Sequence, residues 1–201
     1  MANTTQPVRY HAVAILLHWV IALLIVGLLV VGLIMGNVEP PELKFKLYQL
    51  HKSFGMTVLA LSLLRLLWRL THRAPPLPPQ TKLWEKWAAR AVHWGFYVIM
   101  IGMPLIGWLG VSASPMKMPL QIFGLFNVPL LPFFDGVADP RGTAEALFEA
   151  HGIMAWSAIG LLVLHLGAAL KHHFIMRDDV MLRMMPQCLH GVLKALRGKN
   201  A

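Results

Sequence analysis

Residues 145–174, EALFEAHGIMAWSAIGLLVLHLGAALKHHF, decide the fold. Apart from its ends the stretch is apolar for long enough to cross a bilayer, yet it contains His151, His165, His172 and His173. Ionisable groups inside a span are costly and by default mark function. His151 and His165 are fourteen residues apart. At about 100° and 1.5 Å per residue they share one helix face to within roughly 40° and stand about 21 Å apart along the axis. That is most of the roughly 30 Å hydrocarbon thickness, so one helix offers one imidazole near each membrane surface.

Working outward, 57% of the 201 residues are hydrophobic and only 13% are charged. Mean hydropathy is +0.59. A soluble domain carries about 25% charged residues, so this chain reads as a polytopic membrane protein with no room for a sizeable water-soluble domain. Four spans are predicted, at about 14–36, 49–70, 91–112 and 152–174. The fold class is therefore all-α, a four-transmembrane-helix bundle, with residues 1–201 forming a single domain. The first span follows one arginine, with no small-residue cleavage site after a short apolar core, and reads as retained. Cys188 is the single cysteine, so no intrachain disulfide forms, and no Cys-x-x-Cys-His run exists for covalent haem attachment.

The net charge of +9 is a topology signal. Arg9, Arg69, Arg73, Lys82, Lys86, Arg90, Lys171, Arg177, Arg183, Lys194, Arg197 and Lys199 all fall on one side of the four spans. The other side holds Lys44, Lys46, Lys52, Lys117 and Arg141 against Glu39, Glu42, Asp135, Asp139, Glu145 and Glu149. The positive-inside rule places both termini and the loop between spans two and three in the cytoplasm of a bacterial inner membrane. Lipid accounts for the basic balance, and no nucleic-acid partner is needed. The run THRAPPLPPQ stiffly ends span two, and KLWEKWAAR after it reads as an interfacial piece. In loop 113–150, LQIFGLFNVPLLPFF is too short and proline-broken to span, and is expected at the interface or as a lid. Pro104 should kink span three.

The histidines sort by depth. His51 opens span two and His151 opens span four at the extracytoplasmic side; His18 and His165 lie within two turns of the cytoplasmic side. An outer pair, His51 with His151, and an inner pair, His18 with His165, result. Imidazole pairs on facing helices are what axial ligation of a b-type haem needs, one nitrogen on each face of the macrocycle. Arg65 is fourteen residues after His51. It therefore lies on the same face at the depth of the inner site, suited to pairing with haem propionates or to snorkelling toward headgroups. Gly55, Gly152, Gly160 and Gly167 would admit a flat macrocycle, or serve helix packing.

LLHWVIALL, LHKSFGMTVLALSLLRLLWRL, AVHWGFYVIMIGMPLIGW, HGIMAWSAIGLLVLHLGAALKHHF and the tail RDDVMLRMMP together carry a resemblance over nearly the whole chain. The chain resembles the bacterial cytochrome b561 family of inner-membrane di-haem proteins. The resemblance implies two haem b groups, with iron ligands at His18 and His165 (inner) and His51 and His151 (outer). It also implies electron transfer between the haems and a ubiquinone near the cytoplasmic face. His172 is seven residues past His165, nearly on the same face and about 10.5 Å nearer the cytoplasm. His93 enters span three at that level. Both are candidates to bond the quinone carbonyls, because histidine titrates in the useful range. The rival role for His93 is inner-haem ligand in place of His18. His11, His72, His173 and His190 read as interfacial or tail residues.

One branch of the resembling family oxidises superoxide at its outer face and reduces ubiquinone. Lys52 and Lys117, with Lys44 and Lys46, would supply a local positive field to steer that anion. A second reading is a cytochrome b anchor subunit relaying electrons between a separate periplasmic redox protein or dehydrogenase and the quinone pool, with loop 113–150 as the docking surface. A third is a His-lined metal or proton transporter without haem. No catalytic residue is assigned by any of these.

Overall fold

The computed structural model describes residues 9–197. Four long helices carry the chain: α1 (Ala12–Ile34), α2 (Pro41–Thr71), α3 (Leu83–Ala113) and α4 (Pro140–Leu170). All four are long and apolar enough to cross a membrane. They pack in sequence, α1 on α2, α2 on α3 and α3 on α4. A small core of Ile21, Val58 and Met100 joins the first three, wrapped by Leu17, Leu24, Ile25, Leu28, Leu61, Phe96 and Tyr97. Large apolar side chains such as Leu23, Leu67, Val98 and Val163 face outward instead. In water that would be a penalty, but lipid tails are as apolar as leucine, and a bundle in a bilayer is inside-out only by aqueous standards.

Three of the helices begin eight to twelve residues before the predicted spans, at Pro41, Leu83 and Pro140. Each of these 31-residue helices is about 46 Å long at 1.5 Å per residue, well beyond the hydrocarbon thickness of about 30 Å. The extra turns are polar sequence such as PELKFKLYQ, legible as helix formers but not as membrane. Pro41 and Pro140 stand at the first helical position, where a missing N–H costs nothing, and Asp139 caps α4 by accepting from Gly142 N–H at 2.9 Å. KLWEKWAAR is thus the first two turns of α3 and not a separate interfacial segment.

The two ends of the bundle are built differently. At one end the C-terminal segment folds back over the N-terminus. Arg9 donates to the Met185 carbonyl (2.7 Å), Trp19 Nε1 to that of Met184 (2.9 Å) and Arg183 to that of Pro76 (2.6 Å). A short helix, α5 (His190–Leu196), completes this end. Lys199, counted above among the bases of this side, lies outside the described residues.

At the other end, segment 114–139 contains a two-stranded antiparallel hairpin, β1 (Leu120–Ile122) and β2 (Phe126–Val128). The apolar run expected to lie at the interface or act as a lid is partly this hairpin. Its turn holds Phe123 (φ 51°) and Gly124 (φ 72°) in the left-handed region, as turns of the I′ kind require. Ser53, wholly buried, anchors it: its Oγ lies 2.9 Å from the Gln121 carbonyl and accepts from Phe123 N–H at 3.0 Å. Ser112 accepts from Leu131 N–H at 3.0 Å on the far side of the loop.

Candidate functional site

Two pairs of histidines meet across the bundle. His51 on α2 faces His151 on α4 with ring centroids 6.1 Å apart and an interplanar angle of 64°. His18 on α1 faces His165 on α4 with the same separation, 6.1 Å, and the same angle, 64°. A metal–imidazole bond of about 2 Å plus the ~1 Å from ring nitrogen to ring centre puts two trans imidazoles about 6 Å apart, centre to centre. Both pairs have that spacing. Among the described residues no group of three or more His, Cys, Asp or Glu is arranged to hold a metal ion. The geometry on offer is two-donor, which suits a planar macrocycle supplying the other four ligands better than a closed metal site.

One member of the outer pair is held by backbone. His151 Nδ1 lies 3.1 Å from the Met103 carbonyl, next to Pro104 inside α3. A carbonyl can only accept, so this bond assigns the proton to Nδ1 and leaves the Nε2 lone pair for a metal. The His51 Nδ1 and His18 Nδ1 are buried and have no hydrogen-bond partner among the described residues. Glycines on the preceding helices let both outer rings lie close. A Cβ on Gly32 would come within 3.4 Å of His51 Cε1, and one on Gly107 within 3.3 Å of His151. These two were not singled out from the sequence. The glycines that were, Gly55, Gly152, Gly160 and Gly167, have no protein atom within 4 Å of such a Cβ, so they do not pack helices against one another.

The inner pair has company. His93 lies edge-on to His165, centroids 5.6 Å apart at 75°, and Phe96 meets the same ring at 5.6 Å. Arg65 lies within electrostatic reach of His18, His93 and His165 and near Tyr97. The sequence-based depth of Arg65 is therefore that of the inner cluster. His172 is elsewhere: its Nδ1 lies 2.6 Å from Asp178 Oδ2. The residues paired above as quinone candidates thus face different neighbours, His93 the inner histidines and His172 a carboxylate.

Two of the lysines at the hairpin end, Lys52 and Lys117, are already engaged. Lys52, next in sequence to His51, donates from Nζ to the Pro119 carbonyl at 2.8 Å and makes no ion pair among the described residues. Lys117 lies 3.8 Å from Asp135, an exposed ion pair that reduces its field. His173, read above as interfacial, is wholly buried, and its Nε2 bonds the Leu193 carbonyl at 3.1 Å. Nothing in the apolar pattern distinguished it from His172.

Comparison with known proteins agrees in extent with this architecture. The family model described as prokaryotic cytochrome b561 matches residues 9–187. Cytochrome b561 homolog 2 of Escherichia coli (strain K12) is 35% identical over 190 residues, covering 92% of this chain and 95% of that protein. Cytochrome b561 homolog 1 of the same organism is 29% identical over 183 residues, covering 89% and 98%. A protein of Yersinia pestis named Probable superoxide oxidase CybB is 27% identical over 180 residues, covering 89% and 97%. All three match nearly end to end. The chain belongs to the prokaryotic cytochrome b561 family.

Proposed function

We propose that this protein carries electrons across the bacterial inner membrane through two b-type haems, from a donor at the hairpin end to ubiquinone at the end where the termini meet. The observation that carries the reading is the identical geometry of His51–His151 and His18–His165. Two unrelated interfacial contacts would have no reason to share both separation and angle. When bound, each haem supplies a one-electron couple. The protein's part is to provide the axial nitrogens, exclude water with apolar helices and set the local charge.

Each residue then has a task. His51 and His151 hold the outer iron, and His18 and His165 the inner. Arg65 places a guanidinium where a propionate of the inner haem would be paired. His93, packed edge-on against His165, is taken as an inner-site hydrogen-bonding residue. His18 is preferred to it as ligand because the His18–His165 contact has the geometry of the outer pair. His172 is the proton donor to the quinone.

Superoxide is the donor favoured here. The name of the Yersinia relative supports it, and so does the Lys52 ammonium held beside the outer ligand His51. The basic end, with Arg9, Arg69, Arg73, Lys82, Lys86 and Arg90, is placed in the cytoplasm by the positive-inside rule. A reduced-minus-oxidised spectrum with haem quantitation tests the whole reading. Two low-spin b haems per chain are expected; a chain purified from haem-replete cells without a Soret band would overturn it.

A further inference from the structure

Beyond α4 the chain makes one π turn, Lys171–Met176. A π turn holds an extra residue relative to an α turn, and such turns concentrate at functional sites. Here it gives two consecutive histidines unrelated surroundings. His173 goes into the protein and bonds Leu193 of α5. His172 goes to Asp178, and both side chains are sheltered, at 14% and 21% exposed.

Asp178 is itself held on several sides. Arg177 reverses the chain in the left-handed region (φ 52°, ψ 33°), and the Asp178 N–H returns to the His172 carbonyl at 3.2 Å. Carboxylate Oδ1 accepts from Val180 N–H at 3.0 Å, and the Asp178 carbonyl accepts from Arg197 at 3.0 Å. The remaining oxygen, Oδ2, meets His172 Nδ1 at 2.6 Å. A carboxylate fixed in this way is an orienting group and not a mobile surface charge.

We infer that Asp178 is a positioning residue for quinone reduction: it keeps a proton on Nδ1 of His172 and thereby makes Nε2 the nitrogen that delivers a proton to the quinone oxygen. This rests on the reading that a quinone carbonyl sits at His172. Conversion of quinone to quinol takes two electrons, supplied by the proposed superoxide donor (each superoxide giving one and leaving as O2), and two protons, one from His172 and one from water. The protonated ring gives up its Nε2 hydrogen to the quinone oxygen as the new O–H bond forms. The ring is left neutral with Nδ1–H still on Asp178, and Nε2 is reprotonated from water. The carboxylate stabilises the imidazolium without itself taking a proton.

Asp178→Asn tests this on the full haem-loaded chain. The amide oxygen still accepts from Val180 N–H, but the NH2 group now faces His172 Nδ1. The ring must accept there and carry its single proton on Nε2. Three readouts apply: kcat and KM with a short-chain ubiquinone, the haem spectrum, and imidazole 15N–1H correlations in the diamagnetic ferrous state, with His172→Ala identifying the signals of His172. Expected are a fall in kcat of about tenfold or more, a little-changed KM, unaltered haem bands and a switch of the His172 tautomer, with Asp178→Glu restoring part of the rate. Unchanged kcat in Asp178→Asn alongside a slow His172→Ala would overturn the role of Asp178, as would a slow Asp178→Asn whose His172 proton stays on Nδ1. Full quinone turnover in His172→Ala would instead remove the quinone reading itself, and this inference with it.

Discussion

His151 lies 3.1 Å through its Nδ1 from the carbonyl of Met103, the residue immediately before the proline of α3. A proline inside a helix removes one backbone bond and bends the axis, loosening the carbonyls around it. The contact therefore ties the tautomer of this histidine to the backbone beside Pro104 in the neighbouring helix. Pro104→Ala should straighten α3 and weaken this bond. An outer-shell partner of a metal-ligating histidine is worth about 10- to 100-fold in affinity, so the outer haem should be lost more readily in a haem-transfer assay while the inner haem stays. Equal loss of both would show that Pro104 acts on the whole bundle.

Haem content should be two per chain, and acid acetone should extract all of it, because no Cys-x-x-Cys-His run exists to hold a vinyl group. His151→Ala should reduce the ratio to one and abolish donor-driven reduction, leaving the inner haem reducible by quinol. His93→Ala should retain two haems; a ratio of one would make it the inner ligand in place of His18.

The glycines against the outer rings give a steric test. Gly107→Val and Gly32→Val each place a branched side chain where a Cβ alone would already stand 3.3 and 3.4 Å from the imidazoles. Displacing an axial ring should lower haem content at the outer site and broaden its Soret contribution. Gly27→Val, with no protein atom within 4 Å of its Cβ, is the control and should have an ordinary spectrum. A control as damaged as the two test variants would locate the effect in α1 helicity and not in the ligand contact.

Arg65 makes a prediction about potential. A ferric haem carries one more positive charge than a ferrous one, so a nearby guanidinium opposes oxidation and raises the midpoint. Arg65→Leu should lower the potential of the inner haem and leave the outer one nearly unmoved, as measured by redox titration. A shift confined to the outer haem would put Arg65 at the wrong depth.

Much of the architecture was legible because the bilayer imposes simple rules. Span length, apolarity and the placement of Arg and Lys located four helices, and a fourteen-residue interval put His151 and His165 on one face. Three features were not legible for definite physical reasons. The polar first turns of α2 and α3 have no membrane signature, so the helices run longer than the spans. The hairpin depends on Ser53, and the loop after it on Ser112, whose burial arises from tertiary contacts and leaves no local pattern. The π turn breaks the α-helical register that equated the faces of His165 and His172. Extrapolating that register therefore could not name Asp178 as the partner of His172.

Ser53 follows the outer ligand His51 by two residues and is also the anchor of the β1–β2 hairpin. Anything that pulls on the hairpin thus pulls on the helix turn that carries His51, the proposed axial imidazole. With a haem ligated as proposed, its absorption would serve as an optical gauge of mechanical load on the loop, and a binder gripping the Phe123–Gly124 tip would be read out as a change in colour.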